Sequence, residues 1–93
     1  MTSYIIAYDL LNESGTQDYE PLWEELRRLG SHRTQDSVWL TAVNGTAKEL
    51  HDHLKSFLDD DDRLWVNELV KNKYFSNARA GTNDWLRDNP PSR

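Results

Sequence analysis

Asp9 is the first residue whose place in the chain suggests chemistry rather than packing. It closes a short apolar run, Ser3 to Asp9 (SYIIAYD), where a carboxylate has no packing use. A strand end beside a loop is a common seat for a metal ligand or a catalytic group. The plainer reading is that Asp9 caps the loop from Leu11 to Gly15. One carboxylate alone is a poor magnesium site, because magnesium usually takes one or two carboxylates together with phosphates and waters. A dimer axis through this region would bring in the partner's Asp9 as the second carboxylate, with Mg2+ or Mn2+ as the cation.

Other residues offer phosphate binding. Arg27, Arg28, His32 and Arg33 cluster around the end of one helical segment. They could bind phosphate, or they could complement the helix dipole, which favours cations in a last turn. Ser37 could hydrogen-bond a phosphate or shape a strand start. No histidine is placed in sequence to make it a nucleophile. The run Asp59 to Asp62 lacks the alternating spacing, glycine and terminal glutamate of a calcium loop, so it reads as a solvated loop. His51 and His53 are two apart on a helix and face different ways, so with His32 they read as surface histidines. Trp23, Trp39, Trp65 and Trp85 read as core or interface anchors, with base stacking as a secondary use.

Several elements must hold these groups in place. Ser3 to Asp9 has the composition of a buried strand. Asp18 sits where an N-cap belongs and Pro21 falls in the first turn. Tyr19, Leu22, Trp23, Leu26 and Leu29 then recur at helical spacing, and Gly30 is the stop. His32 to Gln35 is a short strand and Ser37 to Val43 a longer one. Asn44-Gly45 is a turn pair. Thr46-Ala47-Lys48-Glu49 is a capping box opening a helix whose apolar face is Leu50, Leu54, Phe57 and Leu58. Arg63 to Val70 is the last core strand, with Leu64 and Val66 inward and Leu69 or Val70 as a further inward candidate. Beyond Lys71 the pattern weakens. Tyr74-Phe75 could be an edge strand or an anchor, and Thr82 to Arg87 one helical turn. Asn89-Pro90-Pro91 ends any helix.

The order strand, helix, strand, strand, helix, strand predicts an α+β, ferredoxin-like βαββαβ sandwich. Four antiparallel strands carry two helices on one face. Residues 1–70 form the domain and residues 71–93 a tail.

Composition limits the partners. The chain has 93 residues, 11 basic and 16 acidic, for a net charge of −5, and no cysteine. Disulfides, thiolate metal sites and cysteine nucleophiles are excluded. A chain this short buries only about 60–65% of its unfolded surface, so a second copy is expected. Net negative charge argues against wrapping nucleic acid and leaves room for a local basic site. Residues 1–70 carry six basic against 14 acidic side chains, and residues 71–93 carry five against two. A basic tail on an acidic body predicts contact with something negative: a nucleic acid, or a second subunit. Tyr74, Phe75 and Trp85 are the expected dimer anchors. The start of the chain has no basic stretch and no long apolar stretch, so neither a secretory signal nor a membrane span is expected, and the cytoplasm is the default compartment.

Three segments together resemble one family. Tyr8-Asp9-Leu10 looks like the Y-D-hydrophobic motif of the small CRISPR-associated subunit two. The helix Leu22 to Gly30, ending Arg27-Arg28-Leu29-Gly30, is similar to that family's first helix. Arg33-Thr34-Gln35-Asp36-Ser37-Val38-Trp39 resembles its R-x-Q-x-S-V-aromatic stretch. The resemblance implies a ferredoxin-like homodimer whose C-terminal segment packs on the partner's sheet. It implies facing Asp9 side chains able to share one magnesium ion. Members are described as metal-dependent nucleases and as non-catalytic clamps holding DNA with the CRISPR integrase. One departure bears on function. The family carries arginines early in this helix, where Asp18-Tyr19-Glu20 stand here.

Two function classes follow. One is a metal-dependent endonuclease acting on RNA or DNA, with Asp9 holding the metal and Arg27, Arg28, Arg33 and Ser37 positioning the backbone. The other is a non-catalytic dimeric module that binds a protein, a nucleic acid or a nucleotide ligand in phage–host defence or toxin–antitoxin-like systems.

Overall fold

A computed structural model describes residues 1–9 and 19–92. The Leu11–Gln17 loop, Leu10 and the Asp18 cap expected above lie outside the described residues. The elements are β1 (Thr2–Asp9), α1 (Glu20–Arg28), β2 (His32–Gln35), β3 (Val38–Val43), α2 (Ala47–Lys55), β4 (Arg63–Glu68) and α3 (Thr82–Asp88). The four strands form one sheet in the order β2-β3-β1-β4, and every pairing is antiparallel. This is the ferredoxin-like α+β arrangement that the element order predicts.

Alternation along β1 sorts its side chains between two faces. Tyr4, Ile6 and Tyr8 point to the helix layer and join Leu22 and Leu26 of α1 and Leu50 and Leu54 of α2 in one buried cluster. Trp39 enters the same cluster from β3. α1 starts at Glu20, with Pro21 in its first turn and Tyr19 at the N-cap. Its chain reversal uses Gly30 at φ +76°, a left-handed conformation that glycine adopts without a Cβ clash. α2 opens with the expected capping box: Glu49 N donates to Thr46 Oγ1 at 3.1 Å and Thr46 N donates to Glu49 Oε1 at 2.9 Å.

Three boundaries differ from the sequence reading. β3 begins at Val38, because Asp36 and Ser37 form the turn that joins it to β2. β4 ends at Glu68; Leu69 N still donates to Ser3 O at 2.8 Å, and then the chain leaves the sheet. Tyr74-Phe75 is not an edge strand and belongs to no helix or strand.

The tail adds a layer. α3 is a seven-residue helix rather than a single turn. Within the single chain it lies on the sheet face opposite α1 and α2, against β2. Its anchor is Thr82, 4% exposed. Thr82 Oγ1 donates to Arg79 O at 2.8 Å, so its one proton is used. The hydroxyl oxygen therefore accepts from His32 Nε2 at 2.8 Å and from Thr34 Oγ1 at 3.0 Å, which places the His32 proton on Nε2. Burial of this ring pushes the His32 pKa down. Ser3 Oγ donates to Asn89 O at 2.8 Å and Trp85 Nε1 to Gly30 O at 3.2 Å, fixing the far end.

Candidate functional site

The register of β1 with β4 sets Asp9 opposite Arg63. Asp9 is the last residue of β1 and is exposed. Arg63 Nη1 approaches its Oδ2 at 3.8 Å, a loose pair in water. Both line an open groove of about 400 Å³ together with Ala7, Ser37, Val38 and Trp65. Ser37 reaches it because Tyr8 N donates to Ser37 O at 3.2 Å, holding the β2–β3 turn against the end of β1. Trp65 is 69% exposed, since β4 turns Leu64 and Val66 inward and leaves Trp65 on the other face. It is therefore no core anchor.

The structure brings Asp9 and Ser37 together and leaves the expected arginines elsewhere. Arg27 lies on α1, 3.8 Å from Glu20. Arg28 holds Glu25 with two bonds, Nε to Oε1 at 2.6 Å and Nη2 to Oε2 at 2.5 Å. Arg33 donates twice to Asp36 O, at 3.1 and 2.7 Å. Its guanidinium lies 4.5 Å from the Trp23 ring centroid and 5.9 Å from that of Trp39, a cation–π geometry. Trp23 also stacks with Tyr19, with ring centroids 5.0 Å apart. None of the three arginines lines the Asp9 groove. Phe75 is 39% exposed and Tyr74 is 96% exposed, while Trp85 is half-buried with its indole N–H bonded to Gly30.

Sequence reasoning missed two features. Arg63 was placed at a strand start without a role, because its pairing with Asp9 depends on a register between residues 54 apart. His53, read as a plain surface histidine, bonds through Nε2 to Glu25 Oε2 at 2.5 Å and so bridges α2 to α1. Glu25 is buried. The Arg28 hydrogen bonds, with help from His53 and against desolvation, hold its pKa down from 4.5 to about 2.

A divalent cation fits poorly in one chain. Asp9 is the one carboxylate lining the groove among the described residues, and it faces a guanidinium. Among the described residues no group of three or more His, Asp or Glu side chains gathers as a metal site needs. Nor is any helix among them long and apolar enough to cross a membrane.

The chain also matches a known family. The family described as CRISPR associated protein Cas2 matches residues 1–77, which span all four strands, α1 and α2.

Proposed function

Because the chain belongs to the Cas2 family of CRISPR-associated proteins, we propose that two copies form a dimer that holds nucleic acid during CRISPR adaptation without cutting it. The pairing of Asp9 with Arg63 carries this reading. The groove's carboxylate already faces a cation, and among the described residues it is the one carboxylate lining the groove. The integrase subunit of the adaptation machinery is the expected protein partner. The dimer is supported by the small size of the chain and by the sheet face around Ala7, Val38 and Trp65, which α3 leaves open. Tyr74, Phe75 and Trp85 are the aromatics we assign to the seam.

A second reading is a metal-dependent endonuclease, favoured by the meeting of Asp9 and Ser37 in one groove. It requires the partner's Asp9 to supply a second carboxylate. One experiment separates the two. Labelled RNA and DNA are incubated with the protein and with Asp9→Ala, with and without magnesium or manganese, and both binding and cleavage are read. We expect binding by both proteins and cleavage by neither. Metal-dependent cleavage that Asp9→Ala abolishes would establish the second reading and overturn the first. A monomer mass by light scattering at micromolar concentration would remove the dimer from both.

A further inference from the structure

The open half of the sheet face carries both signs of charge side by side. β1 and β4 pair so that Asp9 stands opposite Arg63 and Ala7 opposite Trp65. Side chains two apart on a strand share a face, so Arg63 and Trp65 lie on one side of the sheet with Asp9 and Ala7. All four line one groove together with Ser37 and Val38. The two charged groups and the indole are each more than half exposed in the single chain. The Asp9–Arg63 pair is also loose. Its nearest approach is 3.8 Å, beyond hydrogen-bond range. Among the described residues neither side chain makes a hydrogen bond. A guanidinium carries several N–H donors in a fixed fork, so Arg63 keeps donors for a second carboxylate.

A second copy of the chain supplies that carboxylate. Closed homodimers join the same patch of both chains across a two-fold axis. A patch bearing a lone carboxylate would repel its own image, because like charges facing across an interface are costly. A patch bearing both signs attracts its image: turned through the axis, each Arg63 comes to the partner's Asp9. Trp65, with Ala7 and Val38 beside it, supplies the apolar area, and tryptophan is enriched at the centres of such interfaces. Two carboxylates and two guanidinium groups then cancel. A divalent cation added to them would leave the centre with net positive charge and would have to displace Arg63 from the carboxylates it faces.

We propose that Arg63 is the counter-charge of the dimer seam: each guanidinium is shared between its own Asp9 and the partner's Asp9, and the seam closes without a metal ion. The inference rests on the dimer reading above and assigns the charge pairing within it. In this arrangement Arg63 stands where the sequence led us to expect Mg2+ or Mn2+.

The test is the dimer dissociation constant from sedimentation equilibrium, in EDTA and in magnesium. The proteins are the wild type, Arg63→Gln, and Arg63→Gln combined with Asp9→Asn. Manganese uptake is read alongside by electron paramagnetic resonance. Circular dichroism checks that each variant is folded, as expected for changes at exposed side chains. The wild type should dimerise equally well in EDTA and in magnesium, and should take up no more manganese than the double variant. Arg63→Gln leaves two bare carboxylates facing each other and should weaken the dimer in EDTA roughly tenfold or more. Adding Asp9→Asn removes that repulsion and should recover most of the loss. A wild-type dimer that weakens in EDTA, or manganese uptake above that of the double variant, overturns the inference and leaves the dimer standing. So does an Arg63→Gln protein that dimerises as well as the wild type, or a loss that Asp9→Asn does not relieve. A wild type that stays monomeric overturns the dimer reading and the inference together.

Discussion

Tyr8 and Trp39 meet in the core through a hydrogen bond: Trp39 Nε1 donates to Tyr8 Oη at 3.1 Å. Trp23 Nε1 donates to the same oxygen at 2.8 Å. One phenol oxygen thus satisfies an indole from the sheet and another from α1. It sits one residue before Asp9, so the strand end that carries the candidate carboxylate is fixed by a buried polar node. Tyr8 Oη is 3.5 Å from Asp36 O, too long to count for much.

Tyr8→Phe should therefore be strongly destabilising although it removes a single oxygen. Two indole N–H groups lose their acceptor, and an unsatisfied buried donor costs about 1–3 kcal/mol. We expect a loss of about 2–4 kcal/mol in urea unfolding, with the slope m unchanged. A loss below about 0.5 kcal/mol would mean that water replaces the hydroxyl.

Asp9→Asn should do the opposite. The carboxylate is 64% exposed and its partner Arg63 is 71% exposed, and exposed pairs contribute about 0–1 kcal/mol. The melting temperature should move by no more than a few degrees. Any larger effect on nucleic-acid handling then belongs to the groove and not to the fold.

The parts of this structure that were legible in the sequence are those with local causes. Leu22 and Leu26 share a helix face, Thr46 and Glu49 close a cap within one turn, and Tyr4, Ile6 and Tyr8 alternate along a strand. Asp9 could be picked out for the same reason, as a charge ending an apolar run. What escaped was set by contacts distant in sequence. Arg63 meets Asp9 only through the β1–β4 register. α3 runs a full seven residues because Thr82 docks on His32 and Thr34, some 50 positions earlier. His53 is tied to Glu25 across 28 residues, and no periodicity announces such a pair. The basic cluster at α1 looked like a phosphate site because its acceptors, Glu20, Glu25 and Asp36 O, could not be assigned from spacing alone.

Thr82→Val should loosen the C-terminal layer. The hydroxyl is the meeting point of three hydrogen bonds, from His32, from Thr34 and to Arg79 O. A valine keeps the volume and leaves His32 Nε2–H and Thr34 Oγ1–H without their acceptor, at about 1–3 kcal/mol for each group left dry. Hydrogen exchange at Trp85 and Asn89, whose amides bond within α3, should accelerate, while exchange in β1 and β3 stays slow. Equal acceleration across the sheet would show that α3 does not open as a separate unit.

Acid should weaken the contact between the two helices on the core face. Glu25 has its pKa depressed from 4.5 to about 2, chiefly by Arg28 and further by His53. A carboxylate depressed in the folded state binds protons more readily when unfolded, so the stability it contributes is complete above about pH 5. That contribution falls as the pH drops through 4.5 toward 2. Glu25→Gln keeps the shape, removes the titration, and leaves Arg28 and His53 without their shared anion. The variant should be less stable than the wild type at pH 7 and should lose less as the pH falls from 5 to 2. Urea midpoints measured across that range check the point: parallel curves for the two proteins would show that Glu25 is not the group responsible, whereas convergence toward pH 2 assigns the acid sensitivity to the bridge between α1 and α2.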